Sequence, residues 1–195
     1  MTKGNNKDFS FSFFRAPVTN KKPNGVMTVS EAYQYITSMA ALEHTHALRT
    51  ISNHDEARAY KGKHFDYATF SGTFSYGSDN GLLKHSSLLC LDFDHVGSPA
   101  DIAELKQHIV KDSNLTTWLA FTSPSGDGLK VVVEIDLSKC DHRTWFNAFR
   151  NYFHKMYQRE VDSQCANVSR ACYLPHDALC YAHPVILKEK NVCKF

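Results

Sequence analysis

No run of 18 consecutive apolar residues occurs in the 195-residue sequence, so no helical membrane span is expected. Charge of one sign is equally scarce. Lys and Arg number 22 against 20 Asp and Glu, a formal net charge of +2. Bulk charge therefore does not announce nucleic acid, and any basic surface must be local. The opening "MTKGNNKDFSFSFF" lacks the charged, apolar, small-residue order of a signal peptide, and a cytoplasmic location is expected. No CxxC pair occurs among the six cysteines, Cys90, Cys140, Cys165, Cys172, Cys180 and Cys193. Free thiols are the default in such a compartment. Cys165, Cys172, His176, Cys180 and His183 crowd together, but their gaps match no zinc pattern of that kind. Internal repeats and low-complexity tracts are absent as well. What remains is ordinary for a soluble globular protein of about one domain: 43% hydrophobic and 22% charged residues.

The chain divides by pattern. Residues 1–8 are polar. Phe9–Val18 is strand-like and "TNKKPNG" (Thr19–Gly25) is turn chemistry. Thr28 and Glu31 have capping-box spacing ahead of an apolar helical stripe of Ala32, Ile36 and Met39. Residues 43–80, interrupted by glycines and dotted with Phe65, Tyr67, Phe70, Phe74 and Tyr76, read as short strands and loops. From Ser87 the pattern sharpens. "SLLCLDFD" is a strand, and Ser98 with Pro99 starts a helix striped by Ile102, Leu105 and Ile109. "TTWLAFT" and "LKVVVEI" are strands joined by "SPSGDG". Asp141 caps a helix whose apolar side is Trp145, Phe149, Tyr152, Phe153 and Met156, and "RACYL" (Arg170–Leu174) is a last strand.

This order is the split β-α-β-β-α-β arrangement of ferredoxin-like and RNA-recognition-type folds. The fold class expected is α+β, with a core at 84–195 and an N-terminal α/β flank at 1–83 packing on its sheet. In that topology the first strand lies between the third and the fourth. The end of the first then meets the starts of the other two, which brings Asp92, Asp94, Lys130 and Arg170 together.

Asp92 and Asp94 alternate on a strand and share a face, roughly 7 Å apart at about 3.3 Å per residue. Leu89, Leu91 and Phe93 face the other way. Two such anions repel unless a cation joins them. Magnesium and manganese favour carboxylate oxygens and keep positions open for water and phosphate. The "SPSGDGLK" loop offers serines, glycines and Lys130 to a phosphate, and the Arg170 guanidinium suits one too. Each element also has an ordinary reading: a solvated acid pair, a hairpin turn, a salt bridge between Arg170 and Asp162.

Taken together, "GTFS", "KHSSLLCLDFDH", "FTSPSGDGLKVVV" and "VSRACYLPHD" resemble the N-terminal domain of virulence-associated protein E-like proteins, a group of Bacteroides primase-like domains. That group looks related to the archaeo-eukaryotic primase-polymerase superfamily. "LDFD" fits its paired-aspartate strand motif, "SPSGDGLKV" resembles its second motif, and "VD" at 161–162 resembles its third. The resemblance implies metal-dependent nucleotidyl transfer. Asp92, Asp94 and Asp162 would hold Mg2+ or Mn2+, and Ser123, Ser125, Gly126, Lys130 and Arg170 would hold a nucleoside triphosphate. Lys130 stands where the superfamily has histidine. A lysine can balance phosphate charge but is no neutral acceptor near pH 7, so ligand binding survives this departure better than catalysis.

Arg58, Lys61 and Lys63, followed by Phe65, Tyr67 and Phe70, interleave cations with aromatics as a single-stranded DNA template would require; a half-buried strand with a solvated edge explains them equally. Two alternatives stand beside the polymerase reading. One is a catalytically impaired nucleotide- or nucleic-acid-binding module serving a helicase domain or partner. The other is a metal-dependent phosphodiesterase or nuclease using the same acids.

Overall fold

The computed structural model describes residues 9–189. The expectations for residues 1–8 and for Cys193 lie outside them. Three antiparallel sheets and six helices are present among the described residues. None of these helices is long and apolar enough to cross a membrane.

Alternation sets the central sheet. Strand β6 (Leu88–Phe93) pairs with β8 (Leu129–Glu134), which pairs with β7 (Thr117–Thr122), which pairs with β10 (Tyr181–Ala182). Leu89, Leu91, Phe93, Val131 and Val133 bury one face against two helices. The first is α4 (Pro99–Lys111), begun by a capping box between Ser98 and Asp101 with Pro99 in its first turn. It contributes Ile102, Leu105 and Ile109. The second is α5 (His142–Tyr157), capped by the Asp141 carboxylate, which accepts from Thr144 N–H at 2.7 Å. Its buried residues are His142, Phe146, Phe149 and Phe153. Met156, expected on that stripe, is 65% exposed; the stripe follows Phe146 instead, one turn before Phe149.

The opposite face of the sheet is covered by the N-terminal segment. Leu88, Leu119, Phe121 and Val132 pack with Phe11, Val29, Ala32, Ile36 and Phe70, and Cys90 packs against this cluster. These come from β1 (Ser10–Phe14), from α1 (Val29–Thr37) with its Thr28–Glu31 capping box, and from the segment after β3 (Tyr67–Thr69). Strand β1 lies between β2 (Gly25–Thr28) and β3 in the second sheet. A two-stranded sheet of β4 (Gly72–Phe74) and β5 (Leu82–His85) leads into β6.

Two expectations are corrected. Residues 42–64 form helices, α2 (Leu42–Thr50) and α3 (His54–His64), rather than short strands and loops. Neither shows a strong apolar stripe, and α3 buries no residue. It is set by its ends: Asn53 accepts from the N–H groups of Asp55 and Glu56, acids occupy the first turn, and Lys61, Lys63 and His64 the last. The last strand is also displaced. Strand β9 (Cys172–Tyr173) pairs with β3, with Tyr67 opposite Tyr173, and not with β6. The free edge of β6 receives residues 161–166 instead, through Asp162 N–H donating to the Asp92 carbonyl at 2.9 Å.

Candidate metal and phosphate cleft

Asp92 and Lys130 are direct cross-strand partners in the β6–β8 register, so their side chains rise from the same face. The Lys130 ammonium donates to Asp92 Oδ2. Both residues are only 7% exposed. Burial alone would lower the Lys130 pKa, but the Asp92 carboxylate more than offsets this and holds the ammonium above its ordinary range. Asp92 Oδ1 is buried and has no hydrogen-bond partner.

Asp94 follows the strand and is exposed. Burial on its inner side raises its pKa, and the nearby Asp92 and Asp162 carboxylates add to the rise. Asp162 sits at the start of a short 3-10 turn, Ser163–Ala166. Its Oδ1 accepts from Gln164 N–H at 3.0 Å and its Oδ2 from Arg170 at 2.6 Å. Arg170 also donates to Gln164 Oε1. One carboxylate oxygen from each of Asp92, Asp94 and Asp162 can be chosen so that all three lie within 4.8 Å of one another. Among the described residues no other group of three or more His, Cys, Asp and Glu side chains converges so, and the Cys165–His183 stretch forms no such cluster. Cys172 instead lies 3.6 Å from Cys90, sulfur to sulfur.

A relay of two histidines braces the turn that presents Asp162. Ser87, in a left-handed conformation at φ 65°, donates its N–H to His85 Nδ1 at 2.9 Å. His85 Nε2 then faces His142 Nδ1 at 3.2 Å, and His142 Nε2 faces the Cys165 carbonyl at 3.3 Å. One proton on each Nε2 satisfies every contact, so the relay requires both rings neutral. Burial, with His142 alongside, pushes His85 down to about 4, and burial lowers His142 as well. An unfolded histidine titrates near about 6.5. The unfolded chain therefore takes up protons first, and stability that is complete above that pH is lost as pH falls toward 4. The relay should account for about 1–2 kcal/mol of this loss, after allowance for solvent screening at the half-exposed His85. Urea midpoints at pH 7 and pH 4.5 test it. Wild type should lose more than His85→Gln over that interval; equal losses would remove the relay from the acid response.

Asp92 and Asp94 line a cleft of about 400 Å³, with Asp162 beside them behind Arg170. Ser123, Ser125, Lys130 and Arg170 line it, as do Asn167, Ser169 and Tyr173. From the N-terminal segment come Val18, Lys21, Lys61 and Gly77. The loop at 123–128 is self-braced. Ser123 N–H donates to the Gly128 carbonyl, Gly126 N–H to the Ser123 carbonyl, and Gly128 N–H to Ser123 Oγ. Arg49, on α2, donates to the Pro124 and Ser123 carbonyls at 3.2 and 3.3 Å. Gly126 adopts φ 90°, and a Cβ there would come within 2.9 Å of Arg49 Nε. Gly126 thus shapes the loop from outside the cleft.

Arg58, Lys61 and Lys63 line two different depressions. Lys61 enters the carboxylate cleft, while Arg58 and Lys63 line a shallow groove beside Pro17 and Thr19. Phe65, Tyr67 and Phe70 are each 1% exposed, so they are core and cannot stack on bases. Sequence reasoning missed Lys21, Arg49, Asn167, Ser169 and Tyr173. Lys21 lay in a segment read only as a turn, and nothing in the sequence marks Arg49 as a brace for a loop 74 residues away.

No curated protein and no solved structure matches the chain. Residues 59–181, which carry all three acids, the loop and Arg170, match the family model described as BT4734-like, N-terminal domain, and the chain belongs to that family.

Proposed function

We propose that the cleft is a metal-dependent nucleotidyl-transfer site of primase-polymerase type, taking nucleoside triphosphates on a single-stranded DNA template. The observation that carries this reading is the convergence of three carboxylates, two of which line the cleft, with the four cations Lys21, Lys61, Lys130 and Arg170 in its wall. The donor set suits Mg2+ or Mn2+: all oxygen, with one buried oxygen, Asp92 Oδ1, lacking any partner. When bound, such an ion would lower the pKa of an attacking hydroxyl and neutralise charge on the transferred phosphoryl group. Asp92, Asp94 and Asp162 would hold it. Arg170 fixes the Asp162 carboxylate, and the Asp162 N–H bond to Asp92 fixes the spacing between them. Ser125 and the braced loop border the space a phosphate chain would occupy. The fold supports the kinship with primase-polymerases through the antiparallel β6–β8 pair and the acids at its end.

A second reading, a binding module attached to a helicase, is favoured by one observation. The Lys130 ammonium already occupies Asp92 Oδ2, the oxygen a metal would otherwise share.

Titration of a triphosphate with and without Mn2+, followed by a primer-synthesis assay, tests these readings. Metal should strengthen binding about tenfold or more, the equivalent of a charge-assisted contact of about 1.5–3 kcal/mol. Asp94→Asn should abolish the gain without unfolding the protein, because Asp94 is exposed. Equal affinity with and without metal would remove the metal site. Metal-dependent binding without synthesis would select the binding module, and cleavage of the primer would select the nuclease reading.

A further inference from the structure

Two of the four cations in the cleft are already engaged. Lys130 is bound to Asp92, and Arg170 to Asp162 and Gln164. Lys21 and Lys61 are not. Neither ammonium forms a hydrogen bond or ion pair with any described residue; each lies over an aromatic ring, Lys21 at 5.9 Å from the Tyr67 centroid and Lys61 at 5.8 Å from that of Tyr173.

The backbone at or beside each is nevertheless anchored. The Lys21 carbonyl accepts from Gly77 N–H at 2.7 Å, and the adjacent Asn20 carbonyl accepts from the Tyr67 hydroxyl at 2.5 Å. A side chain at Gly77 would crowd the Lys21 chain, its Cβ coming within 3.3 Å of Cδ. Beside Lys61, the Gly62 carbonyl accepts from Val18 N–H at 2.7 Å. A Cβ on Gly62 would sit 3.4 Å from Val18 and 3.7 Å from the Tyr173 hydroxyl, so α3 approaches the cleft wall closely there. Neither ammonium has a hydrogen-bonded anion, the Asp92, Asp94 and Asp127 carboxylates acting on Lys61 only at longer range; facing two cations already paired, they leave the N-terminal wall with the cations still open to a ligand.

The geometry points to Lys21 and Lys61 as the primary polyphosphate-binding residues of the cleft, so that a bound triphosphate bridges the N-terminal segment and the sheet. This inference rests on the proposed phosphate-ligand reading and reassigns Lys61 from template contact to nucleotide contact. It makes Lys130 chiefly the partner of Asp92. An extended anion suits the layout better than a single phosphate, because the two ammonium groups come from separate elements, the 19–24 turn and α3.

Calorimetric titration of the full chain with a nucleoside, its mono-, di- and triphosphate, and inorganic tripolyphosphate provides the test. Lys61→Met should weaken triphosphate and tripolyphosphate binding by about tenfold to a hundredfold, the range for one charge-assisted contact. Lys21→Met should act in the same direction. Both losses should grow with the number of phosphates and leave the bare nucleoside unaffected. Lys61→Arg should keep most of the affinity. Melting temperatures should not change, since neither side chain has a polar partner to lose. If wild type binds triphosphate and both methionine variants match it, this inference is wrong and the proposed function stands. Lysine-dependent tripolyphosphate binding that ignores Mn2+ would keep the inference and overturn the metal reading. Wild-type protein that binds neither polyphosphate would overturn both.

Discussion

Asp92→Ala should lower stability by about 3–5 kcal/mol, whereas Asp94→Ala should leave it nearly unchanged or raise it. The two aspartates look equivalent in the sequence, and the structure separates them. Asp92 is buried and neutralises a buried lysine. Removing it leaves the largely buried Lys130 ammonium without its carboxylate at the edge of the cleft, and breaking one side of such a pair costs about that much. Asp94 is exposed, and partial burial followed by the Asp92 and Asp162 carboxylates raises its pKa, so its removal takes away a charge the site disfavours. For a chain of this length the difference corresponds to a gap on the order of 10 °C in melting temperature. The double variant Asp92→Leu/Lys130→Met should recover most of the loss, because replacing both members of a buried pair by apolar groups is often neutral. Equal melting temperatures for the two alanine variants would show that the Asp92–Lys130 pair is not the buried, coupled pair described.

The contrast marks what was readable beforehand. Alternation in "LLCLDFD" placed Leu89, Leu91 and Phe93 on the helix side and the acids on the other, because successive side chains of a strand face opposite ways. Ser98 and Asp141 announced their helices through side chains that satisfy exposed N–H groups. Helices α2 and α3 left no such apolar signature. Helix α3 relies on its Asn53 cap and on charge placement, and α2, which has no side-chain cap, on end charges and the burial of Thr45 and Leu48; a search for hydrophobic periodicity passes over both. Topology failed at one strand. Cys172 and Tyr173 pair with β3 because Tyr173 finds Phe65 and Tyr67 there, a partnership between segments a hundred residues apart. Arg170 still reaches the acids, through Asp162 on the turn that covers the β6 edge. The right residues met for a different reason. The aromatic alternation at 65–70 is the converse case: the same pattern suits a core strand and a stacking platform, and only burial decides between them.

Lys130→Met should turn the protein's stability into a function of divalent metal. The substitution removes the ammonium from Asp92 Oδ2 and leaves a buried carboxylate with neither oxygen partnered, since Oδ1 already has none. Without metal the variant should be destabilised by about 3–5 kcal/mol, the cost of stranding one buried charge. Mn2+ binding to Asp92, Asp94 and Asp162 would supply the missing positive charge. At a metal concentration about a hundredfold above its dissociation constant, linkage returns about 2.7 kcal/mol. Wild type, whose lysine already neutralises Asp92, should gain less from the same addition. The measurement is a melting curve of both proteins across a Mn2+ series. A variant whose melting temperature does not respond to metal would mean that the three carboxylates hold none, whatever their spacing. Lys130→His carries the test to function. A neutral imidazole would relax the competition for Asp92 and would install the histidine of the motif that "SPSGDGLK" resembles. Primer synthesis rising above wild type would identify an enzyme impaired by its lysine. Synthesis falling would identify one that works through the fixed charge. No synthesis in either protein, with metal-dependent triphosphate binding intact, would assign the cleft to recruitment, the Asp92–Lys130 pair being what keeps the acids folded when no metal is there.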